Sequence, residues 1–122
     1  MEMSRPVSRR HLAQVRQAAA QRIERIRGRI CALDVLCSGT LVKRTKLCGR
    51  AACRCARDPD ARHGPYYEWG RMKANKLVNR MVTPEQASLI RHALANHRAA
   101  RRLLRAWENQ TVRVLAAMRQ RK

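Results

Sequence analysis

Two apolar stripes of helical period, separated by a segment that has none, set what this chain can fold into. In residues 8–36, Leu12, Ala19, Ile26 and Leu33 recur every seven positions, and Val15, Ile23, Ile30 and Cys37 widen them into one face. Arg16, Arg22, Arg25, Arg27 and Arg29 mostly flank that face, which predicts a long amphipathic helix ending before Ser38-Gly39. Cys31 falls on the stripe and is expected in its core. The second stripe follows Thr83-Pro84-Glu85-Gln86, where Thr83 can cap, Pro84 suits the first helical position and Gln86 completes a capping box. Beyond it Ile90, Ala93, His97, Ala100, Leu104, Trp107, Thr111, Val114 and Met118 trace a heptad-like seam, imperfect at His97 and Thr111. This helix is expected to run to about Met118, with Arg119 to Lys122 fraying.

Between the stripes the period changes from 3.6 to 2. Thr40 to Leu47 favours a strand, Tyr66-Tyr67-Glu68-Trp69 starts a second, Gly70 to Asn75 reads as a turn, and Lys76 to Val82 gives a third. The predicted fold is α+β: two long helices flanking a small three-stranded antiparallel sheet with a zinc knuckle between its first two strands. The parts are residues 1–37, the N-terminal amphipathic helix; residues 38–83, the sheet with the Cys/His knuckle; and residues 84–122, the long C-terminal helix, together one folded unit.

Composition fits an extended molecule. There is no Phe, 30% of the residues are charged, and 28 Lys and Arg face 8 Asp and Glu for a net charge of +20. A large core is excluded, and so dense a positive charge calls for a polyanion. The excess runs the whole length, so this is no neutral domain with a basic tail. Residues 1–10 lack the apolar run of a secretory signal, and no apolar run approaches the ~20 residues that span a membrane. Five cysteines, an odd number, without an export signal argue for metal binding in the cytoplasm rather than a disulfide framework.

The metal ligands are expected in Cys48-x4-Cys53-x-Cys55-x7-His63, a complete Cys3His set for one Zn²⁺ per chain, with Cys37 as the substitute fourth ligand should His63 face away. The segment is too polar to fold by burial, so the metal would fold it. Arg50, Arg54, Arg57 and Arg62 fill the gaps, where they are expected to lower the thiol pKa values and to meet phosphates. Lys43, Lys46, Arg71, Lys73, Lys76 and Arg80 lie on or beside the strands, with Arg44 on the alternate face, and a small basic sheet fits a DNA major groove. Tyr66, Tyr67 and Trp69 are expected to divide between base stacking and the sheet's small core, with Trp69 and at least one tyrosine in the core. The carboxylates are scattered, and Asp58 and Asp60 lack the partners that a metal-dependent nuclease needs, so no enzyme is expected.

Ser38-Gly39-Thr40-Leu41-Val42, Cys48-Gly49, Cys53-Arg54-Cys55, His63-Gly64-Pro65-Tyr66-Tyr67 and Val82-Thr83-Pro84-Glu85 together resemble a family of small bacterial proteins of unknown function. Its members share a Gly-Ser-Leu-Val, Cys-Gly-x3-Cys-x-Cys, His-Gly-Pro-Tyr pattern and are often encoded near transposases. The resemblance covers about residues 38–115. It implies the three cysteines and His63 as the shared site and, weakly, a mobile-element context. The resulting expectation is a zinc-knuckle protein that binds nucleic acid, duplex DNA before RNA, as an accessory to a transposition or recombination complex. Its nucleic-acid contacts would be Lys43, Lys46, Arg50, Arg54, Arg57, Arg62, Arg71, Lys73 and Lys76. The alternatives are an RNA-binding protein within a ribonucleoprotein and a non-catalytic interaction adapter. A homodimer or a larger recombinase or transposase is the expected protein partner, a membrane is not, and the location is cytoplasmic, on the nucleoid if DNA is bound.

Overall fold

The computed structural model describes residues 8–118. The element order is α1 (Arg9–Cys31), β1 (Thr40–Lys46), two 3-10 turns (Arg54–Ala56 and Pro59–Ala61), β2 (His63–Lys73), β3 (Lys76–Val82) and α2 (Pro84–Met118). The fold is α+β, two helices and a three-stranded antiparallel sheet of order β1-β2-β3, and the Cys/His segment joins β1 to β2. The described residues fall into two compact units. One holds residues 8–34 and 98–118, the other residues 35–97. The fraying expected at Arg119 to Lys122 lies outside the described residues.

In the first unit, Ser8 caps α1 by accepting from the His11 backbone N–H at 3.1 Å. Leu12 and Ala19 are buried, and Val15, Ile23, Ile26 and Ile30 are half-buried, so the predicted stripe is the inward face. Cys31 is exposed, against expectation, because Ile30 and Leu33 take the two inward positions on either side of it. On α2 the predicted seam is inward at Ile90, Ala93, His97, Ala100, Trp107 and Val114, but not at Leu104, Thr111 and Met118. Leu103 and Gln110 are buried, while Leu104 is 55% exposed and Thr111 is exposed. A helix of 3.6 residues per turn drifts about 20° per heptad against a strict seven-residue repeat, so the inward stripe moves off the Ile90-His97-Leu104 row toward Leu103 and Gln110 along the helix.

α1 ends at Cys31, short of the predicted Leu36. The N–H of Ala32 closes on the Gly28 carbonyl at 3.2 Å, and the chain then leaves the helix. In the second unit that departing strand is tied to α2: Cys37 N–H donates to the Ala93 carbonyl at 3.4 Å, and Asn96 Nδ2 donates to the Val35 carbonyl at 2.8 Å. Bonds to another element outweigh helical propensity there. Gly39 follows with φ 115°, and a Cβ on it would strike the Gly70 carbonyl, so glycine lets the connector pass against β2. Trp69 Nε1 donates to the Ser38 carbonyl at 3.0 Å and fixes the same crossing.

β1 pairs with β2 from Thr40↔Gly70 to Lys46↔His63, with a register shift between Arg44 and Lys46. β2 pairs with β3 from Tyr67↔Val82 to Lys73↔Lys76. The turn is only Ala74-Asn75, at φ 50° and 65°, not the whole of Gly70 to Asn75. Two consecutive positive-φ residues form the two-residue hairpin turn that matches strand twist. Ala in place of the usual Gly or Asn hid it. α2 starts as expected: Thr83 Oγ1 accepts from Gln86 N–H at 3.0 Å, and Gln86 Oε1 accepts from Thr83 N–H at 2.9 Å. Ala87, Ala93 and Leu94 are its buried positions in this unit. No helix among the described residues is long and apolar enough to cross a membrane.

Candidate metal centre and basic surface

The segment between β1 and β2 has little apolar content, yet its Cys and His side chains converge. The donor atoms of Cys48, Cys53, Cys55 and His63 all lie within 4.8 Å of one another. Cys48 Sγ is 3.5 Å from Cys55 Sγ, and Cys53 Sγ is 3.3 Å from His63 Nε2. A tetrahedral Zn²⁺ site with Zn–S of about 2.3 Å and Zn–N of about 2.0 Å has edges of about 3.5–3.8 Å, so these two edges and the donor set fit a metal ion. Cys48 follows the end of β1, Cys53 precedes the first 3-10 turn and Cys55 lies within it, and His63 opens β2, next to the cis Gly64–Pro65 peptide. Cys37 is not in the cluster, and His63 is.

Backbone donors organise the sulfurs. Cys48 N–H points at Cys55 Sγ at 3.5 Å. Cys53 is held below the ordinary thiol value of 9.0, first by the Cys55 backbone N–H and then by the Cys55 and Cys48 side chains. Cys55 is buried. The Cys48 backbone N–H pulls its thiol down, but burial and its Cys53 and Cys48 neighbours together push it above 9.0. The expected lowering by arginines is not the cause of either shift. Arg54 instead pairs with Asp58 at 3.2 Å, and Asp58 also accepts from the Asp60 N–H at 3.0 Å to cap the second 3-10 turn. Asp58 is therefore a cap and an ion-pair partner within this loop. Arg50 lines an open depression with Cys48, Ala52, Cys53 and His63, so one guanidinium stands beside the cluster. Arg57 and Arg62 are exposed in the same segment.

The strand residues divide by face. Register puts Lys43, Arg71, Lys73, Lys76 and Arg80 on the face that carries Tyr67 and Trp69. Arg71 lies 4.8 Å over the Trp69 ring, and Arg91 of α2 lies 5.9 Å over Tyr67. Tyr67 and Trp69 are half-buried, while Tyr66 is 38% exposed with Lys46 Nζ 5.5 Å from its centroid. Lys46 stands at the register shift, away from the other lysines. Arg44 is on the opposite face, ion-paired to Glu68 at 3.5 Å. Sequence reasoning missed Arg91. It sits in a helix with no local signal, and only the placement of α2 within this unit brings it to the aromatic pair.

Residues 11–92 match the family described as Domain of unknown function (DUF6788). The chain belongs to that family. The matched DUF6788 span takes in all three strands and the four clustered Cys and His residues and ends within α2. No curated protein and no solved structure matches the chain.

Proposed function

We propose that Cys48, Cys53, Cys55 and His63 hold one Zn²⁺, and that the centre fixes a basic head that binds nucleic acid, duplex DNA by preference. The observation that carries this is the convergence of three thiols and one imidazole in a segment with no apolar core of its own. Three thiolates and one imidazole, with no open position needed, describe a structural site rather than a catalytic one, so the protein is read as a binder and not an enzyme. Bound zinc would supply folding energy to residues 47–62 and leave Arg50, Arg57 and Arg62 as phosphate contacts at low ordering cost. Lys43, Arg71, Lys73 and Lys76 would extend that surface along the sheet, with Arg80 and Arg91 added by their position beside the aromatic pair. Arg54 contributes less, since Asp58 already neutralises it.

The likeness to proteins encoded near transposases supports an accessory role in a transposition or recombination complex, in the cytoplasm and on the nucleoid. One observation favours a second reading. Tyr66 is exposed beside Lys46, an arrangement suited to stacking on an unpaired base, as in RNA recognition. Fluorescence anisotropy with a DNA duplex, an RNA hairpin and a single strand, each at several salt concentrations, separates the readings. Duplex DNA bound most tightly by zinc-loaded protein, and lost on chelation, supports the first. A preference for RNA that disappears with Tyr66→Ala supports the second. No binding to any of them at physiological salt would overturn both.

A further inference from the structure

The helical unit carries charge that the sheet and the Cys/His segment leave unused. Its residues 8–34 hold seven arginines and its residues 98–118 hold five, all exposed, against Glu24, Asp34 and Glu108. Within this unit, His11, Gln14 and Arg22 of α1 and Arg113 of α2 line an open hollow of about 360 Å³. His11, Gln14, Ala18 and Arg22 recur at steps of three and four residues, so one side of α1 borders it. Ala18 and Ala19 also line it, and their short side chains keep it open. Each polar side chain at its edge can donate a hydrogen bond, and no acid lines it. Among the described residues, Arg22 and Arg113 make no ion pair, whereas Arg27 of the same helix α1 pairs with Glu24 at 3.5 Å. Like charges gathered without a counter-charge repel one another until an anion offsets them.

We propose that this hollow is a second contact for duplex DNA, in which Arg22 and Arg113 hold backbone phosphates and His11 and Gln14 donate to the same strand. The proposal rests on the reading of the chain as a nucleic-acid binder, and it places part of the contact in the helical unit. A guanidinium fork matches phosphate oxygens bidentately, and forks from two helices fix the path of a strand where one would only attract it. The arginine rows continue beyond the hollow. Arg29 follows Arg22 by about two helical turns, and Arg102 precedes Arg113 by about three, each on the same side of its helix. Both are exposed. A small anion would use the hollow alone, whereas a run of phosphates also uses the donors on either side of it, so charge complementarity favours the nucleic-acid backbone.

Fluorescence anisotropy of the full metal-loaded chain on a DNA duplex, at several salt concentrations, tests the site. Each phosphate contact contributes about −0.9 to the slope of log K against log salt. Arg22→Gln combined with Arg113→Gln should therefore flatten the slope by about 1.8 and lower affinity at least about tenfold near 0.1 M salt. Arg16→Gln combined with Arg101→Gln removes the same charge about a third of a turn round each helix, outside the hollow, and should flatten the slope by less than about 0.5. Circular dichroism should be unchanged in both pairs. Each single change of the first pair should give about half of its flattening, which decides the matter even if the double variant fails to fold. Wild-type binding to duplex with equal slopes for the two pairs would overturn this site and leave standing the reading on which it rests. A loss confined to an RNA hairpin would overturn duplex DNA as the occupant. No binding by the wild type would overturn both the site and that reading.

Discussion

Cys53 and Cys55 are two residues apart and their thiols are displaced in opposite directions. Cys53 accepts the Cys55 backbone N–H and sits below 9.0, while Cys55 is buried and sits above it. The sign follows for the metal-free protein. Cys53 stabilises the fold above its unfolded value and loses that contribution as pH falls through its folded one. Cys55 stabilises below its unfolded value and loses it as pH rises through its folded one. Metal removal unfolds the segment, so iodoacetamide near pH 8 should label Cys48, Cys53 and Cys55 at similar rates in metal-free protein and far more slowly in the metal-loaded chain. Peptide mass spectrometry after short exposures gives the rates, and equal labelling with and without metal would contradict the metal centre. That Cys48, Cys53, Cys55 and His63 come together was legible in the sequence because their spacing is local. The cause of the thiol shifts was not, because it depends on which way backbone N–H groups point in a tight loop and on Asp58 drawing Arg54 aside.

The helices and strands were legible to the extent that one local rule governs each. The Thr83/Gln86 capping box and the β3 alternation are such rules: α2 begins where the one predicts, and β3 spans the residues that the other predicts. α1 stops early because residues 35–37 bond to α2, and no local signal records that contact. The inward face of α2 is likewise a tertiary outcome. Leu103→Ala should cost about 2–4 kcal/mol and Leu104→Ala less than about 0.5 kcal/mol, as read by chemical denaturation. Equal costs would restore the heptad seam. Gln110 is buried among these positions, and its side-chain oxygen has no hydrogen-bond partner among the described residues. A buried unmade hydrogen bond costs about 1–3 kcal/mol, so Gln110→Met should raise stability by roughly 1 kcal/mol in the same assay.

At the scale of the whole molecule, charge dominates. The net +20 was plain from composition, but the gathering of Lys43, Arg71, Lys73, Lys76 and Arg80 on one face of the sheet needed the register of three strands. If five or more of the named basic residues meet phosphates, log K should fall against log salt with a slope of about −4.5 or steeper. Lys73→Ala and Arg71→Ala should each flatten that slope by about one while leaving preference among sequences unchanged. A slope near zero would remove nucleic acid as the partner and leave the protein-docking reading.

In the proposed centre, three thiolates and one imidazole bind a single ion that folds the segment between β1 and β2. The direct test is elemental analysis of purified protein, wild type beside Cys53→Ser, with amide hydrogen exchange over residues 47–62. One zinc per wild-type chain is expected, with little or none in the variant and with protection of that segment lost along with the metal. Wild-type protein free of metal, with the segment equally protected in both chains, would contradict it.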